Sequence, residues 1–409
     1  MLVTKIPGSK SILQRLMVLA AHAKADITVE NYNPCGDVLE LAEAMKVFGY
    51  SVTGQGAVRS FRFDPQSFAH STHHYRFQYS ATAFRLWLSL LANLPGINSE
   101  IELSDILHKR GFAPLQDALT QLGAALELTL PLIRIQASAL AGGMPELNGS
   151  ISSQFHSSLI LAAPFMQKPL TLNISPEQVS MPYLKLSLQM LKRFRARVEE
   201  RGTEITISRA SFRLPGLFCA DSDLSTAAYY AVWGALHAEG IRMEISVNPG
   251  LTQADAVIFR ILSDMGAGVS WEANYCSVYP GALRGKEICL KDNPDLMPVL
   301  SILALFCQSP CRLKGIGRLA HKESDRVAGI VDAFKLIGAN FTLGADELII
   351  MPLGARELPQ VTLDTRSDHR LVMAFSLLQS RYPQIALSET ASLSKSLPLG
   401  SLITNLARS

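Results

Sequence analysis

"IPGSKSILQRLMVLAA" occupies residues 6–21, and this stretch reveals how the whole chain is organised. A polar cluster containing Lys10 and Ser11 runs directly into an apolar segment, and Arg15 lies four residues after Ser11. Residues four apart share one face of a helix, and a helix that is apolar on all sides must be buried. The stretch therefore predicts a core helix whose first turns carry charged and hydroxyl side chains.

The same pattern recurs along the chain as a polar, Ser- or Asp-led start followed by an apolar helix. The copies are "SATAFRLWLSLLA", "SSQFHSSLILAA", "DLSTAAYYAVWGALHA", "DLMPVLSILALFC" and "DHRLVMAFSLLQS". With Ser11, the starts fall at residues 11, 80, 152, 223, 295 and 368, which are 69 to 73 residues apart. A regular period of this length indicates a repeat architecture, so we predict six units.

A second pattern runs out of phase with the first and consists of an amphipathic helix that ends in glycine. The examples are "LAEAMKVFGYSV", "LQDALTQLGAAL", "IFRILSDMGAGV" and "IVDAFKLIGANF", with a copy lacking the glycine, "LQMLKRFRARV", near Arg195. Glycine directly after a helix is the expected C-cap. β-Branched segments such as "DITVENY", "EITIS" and "ELIIM" predict strands. We expect an α/β (or α+β) fold in which strands surround buried helices.

Composition limits the possible functions. The 409-residue chain is 48% hydrophobic and 18% charged, with a net charge of +3, which is too weak for a nucleic-acid or anionic-membrane protein. Its six cysteines form no CxxC pair and no zinc-site spacing. The apolar run Leu16–Ala21 is shorter than a secretory core, and Leu296–Cys307 is too short to cross a bilayer. We predict a cytoplasmic protein without metal.

The helix starts predict an anion site. Helix N-termini carry partial positive charge and unpaired N–H groups, and two domains of three units each would enclose a cleft lined by such starts. "RLPGLFCADSD", residues 213–223, is the expected crossover between the domains. "GSKS" lacks the spacing of a phosphate-binding P-loop, and no GxGxxG, GxSxG or HExxH motif occurs.

"HKESDR", residues 321–326, is the second dense cluster of charge. If it is helical, Lys322 and Arg326 share one face and Glu323 projects beside it. Taken alone, the composition of this cluster is more typical of a solvated helix start with an internal ion pair than of a functional site.

Eight motifs together resemble the 3-phosphoshikimate 1-carboxyvinyltransferase (EPSP synthase) family in order and spacing. They are "PGSKS", "SATAFR", "GSISSQF", "VSMPY", "NPD", "KESDR", "DHR" and "LSKSLP", spread over residues 5 to 400. The resemblance implies a two-domain inside-out α/β barrel of six βαβαββ-type units that closes over its substrates. It implies domain I at residues 1–8 plus 223–409, domain II at 9–222, a monomer, and no cofactor.

The family reaction joins the enolpyruvyl group of phosphoenolpyruvate to the 5-hydroxyl of shikimate 3-phosphate and releases phosphate. By resemblance, shikimate 3-phosphate is bound by Lys10, Ser11, Arg15, Ser152, Ser153, Gln154, Ser180, Tyr183, Asp295 and Lys322. Phosphoenolpyruvate is bound by Lys10, Ala81, Arg85, Arg110, Gln154, Arg326, Arg370 and Lys395. The implied catalytic residues are Asp295, which accepts the hydroxyl proton, Glu323, which handles the proton at the enol methylene, and Lys10.

The chain departs from the family pattern in the loop before Arg85. The family has Asn-Ala/Ser-Gly-Thr where this chain has Tyr79-Ser80-Ala81-Thr82, so a Cβ at Ala81 narrows the phosphoenolpyruvate pocket and predicts weakened inhibition by glyphosate. Arg110-Gly111 replaces the family's Arg-Pro, and Arg318 aligns with a family Asn.

Two other interpretations remain open at this point. The related UDP-N-acetylglucosamine 1-carboxyvinyltransferase family has Lys-Asn in place of Lys10-Ser11 and a reactive Cys before the third unit, whereas this chain has no Cys between residues 35 and 219. A non-catalytic anion-binding paralogue is favoured only by the altered loop at residues 79–82.

Overall fold

The computed structural model describes residues 1–70, 73–136, 138–208 and 212–397. The chain forms two compact units, which we describe separately. Unit I contains residues 1–7, 222–247 and the chain from residue 253 onward, and unit II contains residues 8–221 and 248–252. The chain therefore passes from one unit to the other at four points.

Unit II contains eight of the described helices and eleven of the described strands. Its helices are α1 (Lys10–Ala23), α2 (Gly36–Val47), α3 (Pro65–His70), α4 (Ala81–Ala92), α5 (Asp105–Lys109), α6 (Ala113–Gln121), α7 (Ser153–Ala162) and α8 (Met181–Arg193). Its strands are β2 (Ile27–Glu30), β3 (Tyr50–Thr53), β4 (Val58–Phe63), β5 (His74–Phe77), β6 (Ser99–Leu103), β7 (Ala125–Thr129), β8 (Leu132–Gln136), β9 (Leu170–Asn173), β10 (Arg197–Arg201), β11 (Glu204–Ser208) and β12 (Leu217–Cys219).

Unit I contains the remaining elements. Its helices are α9 (Leu224–Leu236), α10 (Val257–Met265), α11 (Met297–Leu305), α12 (Arg326–Leu336) and α13 (His369–Arg381). Its strands are β1 (Leu2–Lys5), β13 (Ile241–Glu244), β14 (Gly268–Glu272), β15 (Tyr275–Tyr279), β16 (Glu287–Cys289), β17 (Cys311–Lys314), β18 (Phe341–Leu343), β19 (Glu347–Ile350), β20 (Val361–Leu363) and β21 (Ile385–Leu387).

Four small sheets share one strand pattern. Their strand orders are β12-β2-β4-β3, β5-β6-β8-β7, β1-β13-β15-β14 and β16-β17-β19-β18. In each of the four, the first pair is parallel and the next two pairs are antiparallel. The other described sheets are β10-β11-β9 and β20-β21. The mixed helix and strand content agrees with the expected fold class.

The most apolar helices form the core of each unit. In unit II, α1 packs against α4 and α7, and α4 packs against α7. In unit I, α9, α11 and α13 pack against one another. Nearly every residue of these helices is buried, as expected for helices without a polar face. In the described residues, no helix is both long enough and apolar enough to span a membrane.

Most predicted helix starts are genuine N-caps. Backbone N–H groups in the first turns of α4 and α7 donate to the side chains of Ser80 and Ser152. Those of α9 and α13 donate to the side chains of Asp223 and Asp368. Two starts differ from the prediction. Ser11 lies inside the first turn of α1, where Ser9 holds the N-cap position. Asp295 lies in a 3-10 turn before α11, and Leu296 holds the N-cap position of that helix.

The "KESDR" segment also differs from the sequence-based expectation. Helix α12 begins only at Arg326, and Asp325 is its N-cap, with the carboxylate accepting the N–H of Ala328 at 2.9 Å. Lys322 precedes the helix in non-helical backbone. Lys322 and Arg326 therefore do not share a helix face, because the Asp cap starts the helix after Lys322.

Candidate active site

Arg15 is a buried cation of unit II whose guanidinium group makes four hydrogen bonds. Its Nε donates to Ser187 Oγ at 2.8 Å and its Nη1 to the carbonyl of Ser11 at 2.8 Å. Its Nη2 donates to Ser157 Oγ and to the carbonyl of Tyr183, each at 3.2 Å. Burial lowers the pKa of Arg15 to about 10, so the group stays charged at neutral pH. Among the described residues these bonds use four of its five N–H groups, which leaves one Nη1 hydrogen for a ligand.

Lys10 lies in the first turn of α1 and is held by an acidic partner that the sequence did not reveal. Its Nζ lies 3.0 Å from Asp37 Oδ2, and the two side chains are 14% and 6% exposed. Asp37 comes from the first turn of α2. The adjacent Ser11 is half-buried on the same turn as Lys10, so an anion at this helix start would meet an ammonium group and a hydroxyl.

Three predicted serines lie at the starts of two packed helices. Ser152 is the N-cap of α7, with Oγ 3.3 Å from the N–H of Gln154, and Ser153 follows it, buried. Ser180 is the N-cap of α8 in left-handed backbone with φ 54°, and its side chain makes no cap bond. Helices α7 and α8 pack against each other. The start of each helix offers backbone N–H groups and serine hydroxyls to an anion. Tyr183 is half-buried in the first turn of α8.

Arg85 and Gln154 meet between α4 and α7. Arg85 Nη1 donates to Gln154 Oε1 at 2.6 Å, and its Nη2 donates to the carbonyls of Arg110 at 2.9 Å and Gly111 at 2.5 Å. Gln154 Nε2 donates to Thr82 Oγ1 at 2.7 Å. Burial, together with the nearby charge of Arg110, lowers the pKa of Arg85 to about 9. The structure thus brings together three of the predicted phosphoenolpyruvate residues.

The altered loop before α4 is organised by a carboxylate that sequence reasoning missed. Glu40 Oε1 accepts the N–H groups of residues 78 and 79 at 2.5 and 3.1 Å, and its Oε2 accepts that of Ser80 at 2.8 Å. Gln14 Nε2 adds a bond to Ser80 Oγ at 2.9 Å. Ala81 begins α4 directly after this loop and is 2% exposed. Glu40 therefore fixes the entry to the helix that carries Ala81 and Arg85.

In unit I, one carboxylate bridges two predicted substrate arginines. Asp295 Oδ1 lies 2.7 Å from Arg326 Nη1, and its Oδ2 lies 3.1 Å from Arg370 Nη2. Arg326 also pairs with Asp368 at 2.8 Å. Burial opposes the charge of both arginines, but the surrounding carboxylates outweigh it and raise the pKa of each above the usual arginine value. Both guanidinium groups are therefore firmly charged although they are 2% exposed.

Glu323 belongs to a second cluster of charged side chains in unit I. Its Oε2 lies 2.8 Å from His369 Nδ1, and its Oε1 lies 3.0 Å from Lys395 Nζ. Burial alone would raise the pKa of Glu323, but His369 and Lys395 together hold that pKa well below the usual range. Lys322 is the half-buried residue just before it. Glu323 is therefore an ionised carboxylate at neutral pH.

Glu323, Asp368 and His369 each place one ligand atom within 4.8 Å of the other two. Both carboxylates already have protein cations as partners, Lys395 for Glu323 and Arg326 for Asp368. Protein cations thus balance the negative charge of this group.

The structure adds three acidic residues to the predicted site residues, namely Asp37, Glu40 and Asp368. Asp37 and Glu40 stand three residues apart in "GDVLE", which puts both acids on one face of a helix start, and this spacing was the available signal. Asp368 is the predicted helix cap, and it also pairs with Arg326. Arg318, which stands at the position of a family Asn, donates to the carbonyl of Lys291.

The buried cations and helix starts of both units are those of a protein that handles small polyanions. The sequence profile of EPSP synthase (3-phosphoshikimate 1-carboxyvinyltransferase) matches residues 3–399. The chain belongs to this family, whose members transfer the enolpyruvyl group in the shikimate pathway.

Individual relatives agree with this assignment. The 3-phosphoshikimate 1-carboxyvinyltransferase of Mannheimia succiniciproducens is 30% identical over 399 residues, covering 94% of this chain and 90% of the relative. That of Pasteurella multocida is 27% identical, covering 96% and 92%.

Solved structures share the fold. EPSP synthase from Acinetobacter baumannii superimposes with a TM-score of 0.80 at 22% identity, covering 99% of this chain and 94% of the other. The enolpyruvyl transferase NikO from Streptomyces tendae gives 0.75 at 16% identity, with coverage of 99% and 94%. The chain therefore has the two-domain fold of EPSP synthases.

Proposed function

We propose that this chain transfers the enolpyruvyl group of phosphoenolpyruvate to the 5-hydroxyl of shikimate 3-phosphate, releasing inorganic phosphate. The observation that carries the proposal is the bridge of Asp295 to Arg326 and Arg370 in a chain of this family. It joins a candidate base to the cations that would hold an anionic substrate.

Shikimate 3-phosphate is assigned mainly to unit II. Its proposed ligands there are Lys10, Ser11, Arg15, Ser152, Ser153, Gln154, Ser180 and Tyr183, with Asp295 and Lys322 from unit I. The hydroxyls and N–H groups at the starts of α7 and α8 suit its phosphate. The remaining Nη1 hydrogen of Arg15 suits its carboxylate, because charge-assisted bonds of this kind are among the stronger hydrogen bonds in proteins.

Phosphoenolpyruvate is assigned to residues of both units. They are Lys10, Ala81, Arg85, Arg110 and Gln154 of unit II, and Arg326, Arg370 and Lys395 of unit I. Planar guanidinium groups bind carboxylate and phosphate through paired N–H bonds. The substrate would compete with Asp295 for the N–H groups of Arg326 and Arg370.

That competition would switch Asp295 from a charge partner to a base. While both its oxygens accept arginine N–H bonds, Asp295 has little capacity left to accept a proton. When phosphoenolpyruvate takes over Arg326 and Arg370, the carboxylate becomes available to accept the 5-hydroxyl proton as that oxygen attacks C2. The second substrate would thereby activate the base for the first.

Glu323 is assigned to the methylene carbon. As an ionised carboxylate it can stabilise positive charge developing at C2, and it can remove the C3 proton when phosphate leaves. The proton that C3 gains in the addition step then has to come through a group bonded to Glu323, namely Lys395 or His369. Lys10 would stabilise the departing phosphate. No cofactor takes part in these steps.

We further propose that the fold consists of six related units in the inside-out barrel arrangement, with domain I at residues 1–8 and 223–409 and domain II at 9–222. The shared strand pattern of four sheets and the two trios of core helices support this. We also propose a cytoplasmic, monomeric enzyme.

Phosphate release from the purified chain tests the function. We expect release only when shikimate 3-phosphate and phosphoenolpyruvate are both present, and loss of release in Asp295→Ala. Binding of shikimate 3-phosphate without release would support an anion-binding paralogue instead. Turnover with UDP-N-acetylglucosamine in place of shikimate 3-phosphate would support the related family.

A further inference from the structure

An arginine-lined cavity lies in unit II at the far end of α8 from the proposed substrate residues. We call it the arginine pocket. It has a volume of about 350 Å³, and its lining includes Arg193, Phe194, Arg195, Arg213, Phe218 and Cys219. Tyr183 and Arg193 are ten residues apart on α8, a rise of about 15 Å, so the pocket is separate from the helix starts described above.

Arg195 stands where the other helices of its kind have glycine. It has φ 65° and follows the end of α8, and its N–H and that of Ala196 bond back to the carbonyls of Lys192 and Leu191. The corresponding positions after α2, α6, α10 and α12 are Gly49, Gly123, Gly266 and Gly338, with φ of 100°, 98°, 106° and 69°. A side chain in left-handed backbone costs free energy that glycine avoids. Arg195 thus carries a side chain at a position that favours glycine, and this side chain lines the arginine pocket.

The pocket cations lack the acidic partners that neighbouring cations have. Lys192 pairs with Glu200 at 2.5 Å, and Arg197 and Arg201 pair with Glu199 at 2.6 and 3.2 Å. In the described part of the chain, none of the three pocket arginines has a carboxylate oxygen within 4 Å, and the lining contains no Asp or Glu. The local excess of positive charge is therefore left for a ligand.

Hydrogen bonds to groups other than carboxylates hold the side chain of Arg193 and the backbone of Arg213. Arg193 donates to the carbonyl of Pro249 at 3.2 Å and to Asn248 Oδ1 at 3.1 Å, which leaves three of its five N–H groups. The backbone N–H of Arg213 bonds to the carbonyl of Phe194 at 3.0 Å, which ties the segment before β12 to the end of α8. Asp221 feels the charge of Arg193, but its carboxylate accepts the N–H and the side chain of Asn248.

We propose that the arginine pocket binds a small anion carrying at least two phosphate-type negative charges. Guanidinium groups form paired N–H bonds with phosphate oxygens, and three of them around a cavity at the lower end of ligand-pocket volumes suit a compact polyanion. The site does not depend on the proposed transferase reaction.

Cys219 provides a local readout of binding. Among the six cysteines, Cys219 and Cys289 are exposed and the others are buried. In a Cys289→Ser background, the uncharged reagent N-ethylmaleimide would report on Cys219. The alkylation rate is measured with and without pyrophosphate, with potassium chloride keeping the ionic strength constant. The ratio of the two rates is compared between variants.

We expect pyrophosphate to slow alkylation of Cys219 about tenfold when about nine tenths of the pocket is occupied. The protection should be lost in Arg195→Gly, which fits the left-handed backbone and should fold at least as well, and in Arg213→Gln. It should persist in the matched control Arg197→Gln, which alters an ion-paired neighbour. Absence of protection, equal protection in Arg195→Gly, or equal protection by potassium chloride alone would overturn the proposal.

Discussion

Asp295 and Arg326 form an ion pair with 2.7 Å between Oδ1 and Nη1, and the second oxygen of the same carboxylate pairs with Arg370 at 3.1 Å. One acid thus engages two arginines that come from helices 31 and 75 residues further along the chain. The proposed chemistry follows from this bridge, because the residue assigned as the base is held by the residues assigned to the second substrate.

Asp295→Asn should lower kcat about 10³-fold, within the range that a lost general base produces. Binding of shikimate 3-phosphate, measured by calorimetry, should persist, because most of its proposed ligands lie in unit II. Asp264→Asn, which alters an exposed acid of unit I, is the matched control and should retain normal turnover. A kcat for Asp295→Asn within threefold of the wild type would remove Asp295 from the role of base.

Glu323→Gln should change how stability depends on pH. The folded pKa of Glu323 lies well below its ordinary value of 4.5, so its pairs stabilise the fold above pH 4.5, and this contribution is lost as the pH falls further. The difference in unfolding free energy between the wild type and Glu323→Gln should therefore shrink below pH 4.5. Urea unfolding from about pH 6 downward measures this difference. A difference that grows on acidification would contradict the assignment.

Glu40→Gln should impair the use of phosphoenolpyruvate. The variant has one amide oxygen for the three N–H groups of residues 78–80, so the start of α4 would lose its fixed position. We expect KM for phosphoenolpyruvate to rise roughly tenfold, consistent with the loss of one charge-assisted hydrogen bond, with little change in the affinity for shikimate 3-phosphate.

Glu43→Gln is the control for this experiment, because Glu43 lies on the same helix and pairs with Lys46 at the surface. If both variants behave alike, or if Glu40→Gln weakens both substrates equally, Glu40 has only a general structural role.

Ala81→Gly should increase inhibition by glyphosate. Ala81 is 2% exposed at the start of α4. By resemblance, its methyl group would occupy space in the proposed phosphoenolpyruvate pocket that the family's glycine leaves open. The inhibition constant against phosphoenolpyruvate should fall by at least about tenfold, since one misplaced methyl group in a close-packed site is felt strongly. The prediction would be contradicted if glyphosate inhibited the wild-type chain at micromolar concentration and the inhibition constant were the same in Ala81→Gly.

The sequence predicted local features well. Ser80, Ser152, Asp223 and Asp368 cap helices because a cap depends on the few residues that follow it. The buried helices were evident from their lack of a polar face. Ser9 rather than Ser11 holds the N-cap position of α1, and the sequence does not separate the two because both stand at the edge of the same apolar run.

The sequence did not predict contacts between distant segments. The Glu40 bonds to residues 78–80 and the Lys10–Asp37 pair depend on how α1, α2 and the loop before α4 pack. No periodic pattern encodes that arrangement. Likewise, the spacing of "KESDR" suggested a continuous helix, whereas the Asp325 cap moves Lys322 off it. The eight ordered motifs supplied the candidate residues, but only the structure showed that Asp295 and Arg326 are partners.

The identity of the product tests the central claim most directly. The purified chain is incubated with shikimate 3-phosphate and phosphoenolpyruvate, and the mixture is followed by proton and phosphorus NMR. The account predicts new vinyl proton signals from an enolpyruvyl ether, appearing in a one-to-one ratio with inorganic phosphate. Release of phosphate without new vinyl signals, or no reaction despite binding of shikimate 3-phosphate, would contradict the account.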